Sequence, residues 1–280
     1  MNPTRETTQS SRRRRLPTLA ERADRYALYQ RSVQDVAWEM HFVEQTFRAL
    51  RKRAPQKLRE DFCGTALAAC EWVRCGRRHQ AIGVDIDPAV LAWGRQHNVA
   101  RLAPRIASRL HLLQADVLKV RVPLVDIILA FNFSYWVFKE RALLREYFRQ
   151  VRQSLAADGI FMLDAYGGYD AFREMRERED FGRFTYIWEQ ATYEPVSGQT
   201  SCHIHFSFPD GSRLKRAFSY HWRLWTLPEL RELLTEAGFE KTTVYFEGTD
   251  EKTGQGNGVF QPAMRGEADP AWVAYLVAQP

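Results

Sequence analysis

From residue 57 to residue 165 the chain alternates short apolar runs with amphipathic stretches, and this alternation limits the possible folds more than any other feature. Residues 57–62, Ala81–Asp85, Leu110–Leu113, Val125–Phe131 and Gly159–Ala165 read as five strands. Residues 66–74, the stretch from Pro88 to about Asn98, and Arg141–Leu155 read as helices between them. Val125–Phe131 is apolar throughout, as a parallel strand covered on both faces must be. Strands separated by helices make a parallel sheet, and right-handed crossovers bring the loops after the strands to one edge. Ligands of such sheets bind at that edge, where the strand order reverses.

The pattern changes after Gly167-Gly168. A charged segment, Ala171 to Asp180, is followed by period-2 runs: Phe184, Tyr186, Trp188, then Cys202, Ile204, Phe206, Phe208. Pro209-Asp210-Gly211-Ser212 separates the second run from Leu214–Leu224. Three antiparallel strands inserted into the α/β domain are predicted. Thr226 and Glu229 open a helix as a capping box, closed at Gly238. Thr242–Phe246 and Trp272–Ala278 are the last two strands, with a Gly- and Asp-rich surface loop at 248–270. The fold class is thus a doubly wound, Rossmann-like, mostly parallel seven-stranded sheet carrying an antiparallel β subdomain. Its divisions are a disordered basic tail (1–17), an N-terminal helical lid (18–56), a cofactor-binding α/β core (57–168), the antiparallel insertion (169–225) and a C-terminal helix with the last two strands of the core sheet (226–280). The lid rests on apolar residues from Tyr26 to Phe47 at three- or four-residue spacing.

The net charge of +6 is unevenly placed. Five arginines against one glutamate in the first fifteen residues leave about two positive charges for the remainder. A near-neutral body argues against a nucleic-acid groove, although the run Arg12–Arg15 can meet phosphates. No stretch is apolar enough to span a bilayer, and no apolar segment follows the N-terminal arginines, so the expected compartment is cytoplasmic. Cys63, Cys70, Cys75 and Cys202 show no CxxC spacing, and no metal site is expected. His203 and His205 share a strand face and read as a surface pair.

Three strand ends carry the chemistry. Gly64 stands at the mouth of a helix, where backbone N–H groups face a ligand. Asp85 follows 21 residues later at the end of the second strand, where a carboxylate can accept both hydroxyls of a ribose. Asp116 closes the third strand and can accept an adenine amino group. A lone Gly64 in place of GxGxxG argues against a nicotinamide enzyme, whose diphosphate needs closer backbone approach.

Together Glu60-Asp61-Phe62-Cys63-Gly64-Thr65-Ala66, Gly83-Val84-Asp85-Ile86-Asp87-Pro88 and Gln114-Ala115-Asp116-Val117 resemble the first three motifs of class I S-adenosylmethionine-dependent methyltransferases. The resemblance is to small-molecule enzymes with a β-rich insertion after the fifth strand. It implies S-adenosylmethionine as cofactor. Glu60 would then position the methionine part, Gly64 would back the cofactor with Phe62 and Cys63 beside it, Asp85 would bind the ribose, and Asp116 with Val117 would hold the adenine; Ile86 and Asn132 complete the expected cofactor-binding set. Phe62 and Ala66 stand where the family has glycines; an aromatic at 62 can face the sulfonium.

For the acceptor side, Asn132-Phe133-Ser134-Tyr135 keeps the Asn and Tyr of an Asn-Pro-Pro-Tyr motif, and Asn132 reads equally as a turn residue. Tyr166 can orient or deprotonate an acceptor, or pack. His221 is the sequence's candidate general base, beside Tyr220 and Trp222. The expected partner is a small-molecule acceptor. Two other readings are an RNA or protein methyltransferase using Arg12–Arg15 with Arg48, Arg51, Lys52, Arg53 and Lys57, and a non-enzymatic S-adenosylmethionine-binding or interaction protein.

Overall fold

The computed structural model describes residues 15–250, 252–253 and 256–280. Three helices come first: α1 (Leu19–Arg22), α2 (Arg25–Ser32) and α3 (Val36–Arg51). The core follows as β1 (Lys57–Asp61), α4 (Leu67–Cys75), β2 (Gln80–Asp85), α5 (Pro88–His97), α6 (Pro104–Ala107), β3 (Leu110–Gln114), β4 (Val125–Ala130), α7 (Arg141–Ser154) and β5 (Leu155–Gly167). The insertion contains β6 (Met175–Asp180), β7 (Thr185–Glu194), β8 (Gln199–Ser207) and β9 (Arg213–Arg223). The chain closes with α8 (Leu227–Glu236), β10 (Lys241–Thr249), β11 (Gly256–Ala263) and β12 (Trp272–Gln279).

The main sheet runs β11-β10-β12-β5-β4-β1-β2-β3. Strands β1 to β5 are mutually parallel, and β12 is antiparallel to both β5 and β10. The order reverses between β1 and β4, which makes their shared C-terminal edge the switch point. An eighth strand, β11, occupies part of the segment that the Gly-rich composition assigned to a surface loop. It pairs with β10 along the sheet's outer edge, where exposure leaves no apolar pattern to read. The insertion has four strands, in the order β6-β7-β8-β9, rather than three. The additional one is the charged segment Met175–Asp180, an edge strand whose charges discourage pairing with a foreign chain.

Two apolar layers sandwich the main sheet. One joins α7 and α8 to Trp136, Phe161 and Leu163; the other joins α3 and α4 to Leu58, Ile127 and Met162. Inside the first layer, Arg59 forms a two-pronged ion pair with Asp61 at 2.7 and 2.8 Å, both side chains fully buried. The Tyr147 hydroxyl donates to Asp61 at 2.9 Å. At the opposite end of the sheet, Asp126 accepts the backbone N–H groups of Gln56 and Lys57 and binds Arg53, which also grips Asp158. Arg51 donates to the Asp158 and Gly159 carbonyls, and Arg48 pairs with Glu44. The basic residues at 48, 51 and 53 are thus engaged in holding α3 and the sheet. Arg12, Arg13 and Arg14 lie outside the described residues. No helix among the described residues is long and apolar enough to cross a membrane.

Helix α2 bridges the two sheets. Gln30 donates to the Thr65 hydroxyl at 2.6 Å, and Trp93 of α5 donates to Asp24 at 2.7 Å. On the insertion side, Tyr29 packs on Phe218 with ring centroids 5.0 Å apart. The helix therefore covers the loop after β1 and one flank of the insertion together.

Candidate active site

The turn after β1 explains the glycines it lacks. Phe62, Gly64 and Ala66 have φ of 56°, 52° and 56°, three left-handed residues at alternate positions. An L-residue there costs about 1 kcal/mol or more, so Phe62 and Ala66 are held in a backbone that glycine adopts freely. The hold comes from the surroundings. Cys63 N–H bonds to the Val84 carbonyl, Ala66 N–H to the Cys63 carbonyl, and Asn98 Nδ2 to the Thr65 carbonyl at 2.9 Å. The half-buried Phe62 ring packs on Phe138 and Tyr147, centroids 5.9 and 5.7 Å away.

Asp85 ties this turn to the end of β2. Its carboxylate accepts the Gly64 N–H at 2.8 Å through one oxygen and the Asp87 N–H at 2.9 Å through the other. Each oxygen keeps a further lone pair for a ligand. A Cβ at Gly64 would meet nothing within 4 Å, so the space above the turn is open. Ile86 is 69% exposed beside it, an apolar face at a strand end. Asp116, after β3, accepts the Leu118 N–H at 2.9 Å, which fixes the half-buried carboxylate at that end; Val117 is buried next to it.

Glu60 is buried on β1 and accepts the Ala69 N–H at 2.9 Å. Burial pushes its carboxyl up to about 8, against that hydrogen bond and with help from Glu39, Asp85 and Asp61. Glu39 of α3 is likewise raised to about 8, by burial first and then by Asp164 and Asp35. Asp164 of β5 is raised to about 7 by burial, opposed by two backbone N–H groups. None of the three has a cationic partner among the described residues. Buried acids without counter-charge suit a ligand that brings positive charge, as the ammonium and sulfonium of S-adenosylmethionine do.

These shifts fix a pH dependence. A carboxyl whose folded value exceeds its unfolded one binds more protons in the native state, so stability falls as pH rises between the two. For Glu39, Glu60 and Asp164 that window runs from ordinary carboxylate values up to about 8. Urea unfolding of the ligand-free protein should show lower stability at pH 8.5 than at pH 6, by at least about 1.4 kcal/mol, one pKa unit. The difference should shrink in Glu39→Gln. Stability that is flat or rising over this range contradicts the burial described.

Beyond the switch point lies a cavity of about 450 Å³. Its floor is the edge of the main sheet: Asn132 and Phe133 after β4, Tyr166 and Gly167 of β5, Trp272 and Val273 of β12. Its roof is the inner face of the insertion, with Tyr186, Trp188, Ile204, Tyr220 and Trp222; Tyr29 and Val33 close one side. The Tyr166 ring packs on Phe133 and Trp136, centroids 4.8 and 4.7 Å away, and its buried hydroxyl lies beside the Cys202 thiol. Gly167 allows close approach by the chain's own Trp272, whose ring a Cβ there would meet at 2.2 Å.

Asn132 and Phe133 both have φ of 56°. Their N–H groups donate to the two oxygens of Asp164 at 2.8 and 2.9 Å, and the Tyr135 hydroxyl donates to the Asp164 carbonyl. One buried carboxylate thus holds the loop that forms the cavity floor. The sequence contains Asp164 in an apolar strand, and a polar residue inside such a run is the signal that marks it.

The structure gathers Glu60, Phe62, Cys63, Gly64, Asp85, Ile86, Asp116 and Val117 along the ends of β1 to β3, and Asn132 and Tyr166 at the cavity. It does not bring His221 there. Tyr220 and Trp222 face the cavity, so His221 points to the other face of the insertion, exposed, with Nδ1 3.1 Å from the Ser201 hydroxyl. His203 and His205 share that outer face but are not the expected surface pair: His203 is buried beside the Ser219 hydroxyl at 2.9 Å, and His205 is bonded to Glu189 at 2.8 Å. Tyr26 packs on Trp93 of α5 and Tyr29 lines the cavity.

Residues 61–163 match the family model described as a methyltransferase domain. Among solved structures, the fold is similar to a S-adenosylmethionine-dependent methyltransferase from Clostridium acetobutylicum, at 14% identity and TM-score 0.65, covering 91% of this chain and 98% of that one. It is similar to DesVI from Streptomyces venezuelae (17%, TM-score 0.64, 92% and 98%). It is also similar to CalS10, an amino pentose methyltransferase from Micromonospora echinaspora (18%, TM-score 0.62, 89% and 95%). No curated protein matches the sequence. The architecture is that of class I methyltransferases. Residues 61–163 are thus similar to a methyltransferase domain, set in a fold of that class.

Proposed function

We propose that the protein transfers a methyl group from S-adenosylmethionine to a small molecule bound in the cavity between the two sheets. The observation that carries this is the meeting, at the β1/β4 switch point, of a carboxylate-lined cleft and a half-open aromatic cavity. Glu60, with Glu39 behind it, faces the methionine ammonium, whose positive charge favours the ionised carboxylate that burial alone disfavours. Asp85 accepts the ribose hydroxyls, and Asp116 with the Ile86 face takes the adenine. Phe62, Cys63, Gly64 and Val117 shape the cleft wall. The amino pentose named for one of the similar structures supports the choice of acceptor class.

When bound, the cofactor supplies a methyl group on an already activated sulfonium. The chain's task is therefore alignment and exclusion of water. Helix α2 and the aromatic roof exclude water, and Asn132 with Tyr166 orients the acceptor on the floor. Burial raises the Tyr166 hydroxyl well above its ordinary value, so it stays protonated and serves as a hydrogen-bond donor rather than a base. Calorimetry with S-adenosylhomocysteine, followed by a screen of metabolite extracts with methyl-labelled cofactor, tests the reading. Micromolar binding and label transfer to a small molecule are expected. Folded protein that binds neither form of the cofactor would refute it.

A further inference from the structure

The charged residues of the cavity wall are Asp170, Glu177 and Glu247; among the described residues no lysine, arginine or histidine lines it. Asp170 is paired with Arg173, and Glu247 accepts the Gly258 N–H. The side chain of Glu177, on β6, makes no ion pair or hydrogen bond among the described residues. It lies directly across from Trp188 on β7, and Gln190 is the next residue on the same face of β7. Gln190 is 6% exposed. Its Nε2 donates to the Asp170 and Arg173 carbonyls at 2.9 and 3.0 Å, which fixes the amide and leaves Oε1 without a partner among the described residues. A carboxylate, an indole face and a fixed amide oxygen therefore sit side by side on the cavity roof.

We propose that Glu177, Trp188 and Gln190 form a subsite for a positively charged, hydrogen-bond-donating group of the acceptor, such as an ammonium. This rests on the cavity being the acceptor site. The carboxylate and the indole attract the charge, and Gln190 Oε1 accepts one of its N–H bonds. An anionic group meets three carboxylates and no cation. The remaining wall, with Tyr186, Tyr220 and Trp222, suits an apolar or aromatic body beside the charge.

Three probes of matched shape read this directly: 2-phenylethylamine, 2-phenylethanol and 3-phenylpropionate. Their affinities for the full chain, saturated with S-adenosylhomocysteine, are measured by ligand-observed NMR. The amine should bind about fivefold or more tighter than the alcohol, a gain that salt weakens, and the acid should bind weakest. Glu177→Gln, on an exposed edge strand, should bring amine and alcohol within about twofold while leaving the alcohol's affinity unchanged. Trp188→Phe should reduce the preference partway. Equal binding of the three probes, no binding by any, or a preference that survives Glu177→Gln overturns the subsite. Failure of S-adenosylhomocysteine to bind, measured separately, sinks the methyltransferase reading instead; the probes then report on the cavity alone.

Discussion

Asp85→Ala should lower affinity for S-adenosylhomocysteine by about 100-fold or more, with a smaller loss for Asp85→Asn. Charge-assisted hydrogen bonds are each worth about 1.5–3 kcal/mol, and the carboxylate offers one free lone pair per oxygen to the two ribose hydroxyls. Two such bonds correspond to a factor of about 10² or greater. A second loss adds to the first. Asp85 also accepts the Gly64 N–H, so its removal loosens the turn that floors the cleft. Asparagine keeps one acceptor oxygen and therefore one of these roles. Calorimetry gives the affinities, and thermal unfolding of the ligand-free variants separates lost contacts from lost fold. Binding by Asp85→Ala within about threefold of the wild type would show that the cofactor does not use this strand end.

How far the sequence discloses this site depends on which physical signal each residue leaves. Asp85 and Asp116 are readable because strand ends in a parallel sheet converge on one edge whatever the details of packing. Phe62 and Ala66 look irregular in sequence, yet the backbone there is left-handed all the same. What conceals this is that packing against Phe138 and Tyr147 compensates strain which composition alone cannot show. His221 shows the opposite failure. Period-2 sequence separates two faces of a strand but does not say which one is covered, and a shift of one residue exchanges them. Tyr220 and Trp222 took the cavity face, so the histidine between them faces outward. Strands β6 and β11 escaped because edge strands are stabilised by backbone pairing on one side, with little burial to imprint an apolar pattern. Glu39 and Glu177 lie in helix and strand segments where a glutamate is ordinary; only the fold reveals that one is buried and the other faces a cavity.

Asp164 is where the acceptor side is most exposed to test. Asp164→Ala should cut methyl transfer to the acceptor found in the extract screen by about 100-fold or more, while S-adenosylhomocysteine affinity stays within about threefold. The two N–H groups it leaves are those of Asn132 and Phe133, and an orphaned buried donor costs about 1–3 kcal/mol. Both residues are left-handed, a conformation costing about 1–2 kcal/mol each, and the Asp164 carboxylate is the group that binds both of their N–H groups. Once the carboxylate is gone, the loop should relax to an ordinary backbone, carrying Asn132 off the cavity floor and uncovering Tyr166. Misplacement by about 1 Å already costs about 10² in rate. The cofactor residues on β1 to β3 are held by other bonds, which is why their affinity should survive. Asp164→Asn presents an amide N–H to one of the two donors and should fall between alanine and the wild type. Tyr135→Phe removes a bond to the Asp164 carbonyl rather than to its carboxylate, so it should cost stability with little loss of turnover. Activity of Asp164→Ala near the wild-type level, in protein that still binds S-adenosylhomocysteine, would place the reacting atoms away from the Asn132 loop and with them the acceptor outside this cavity.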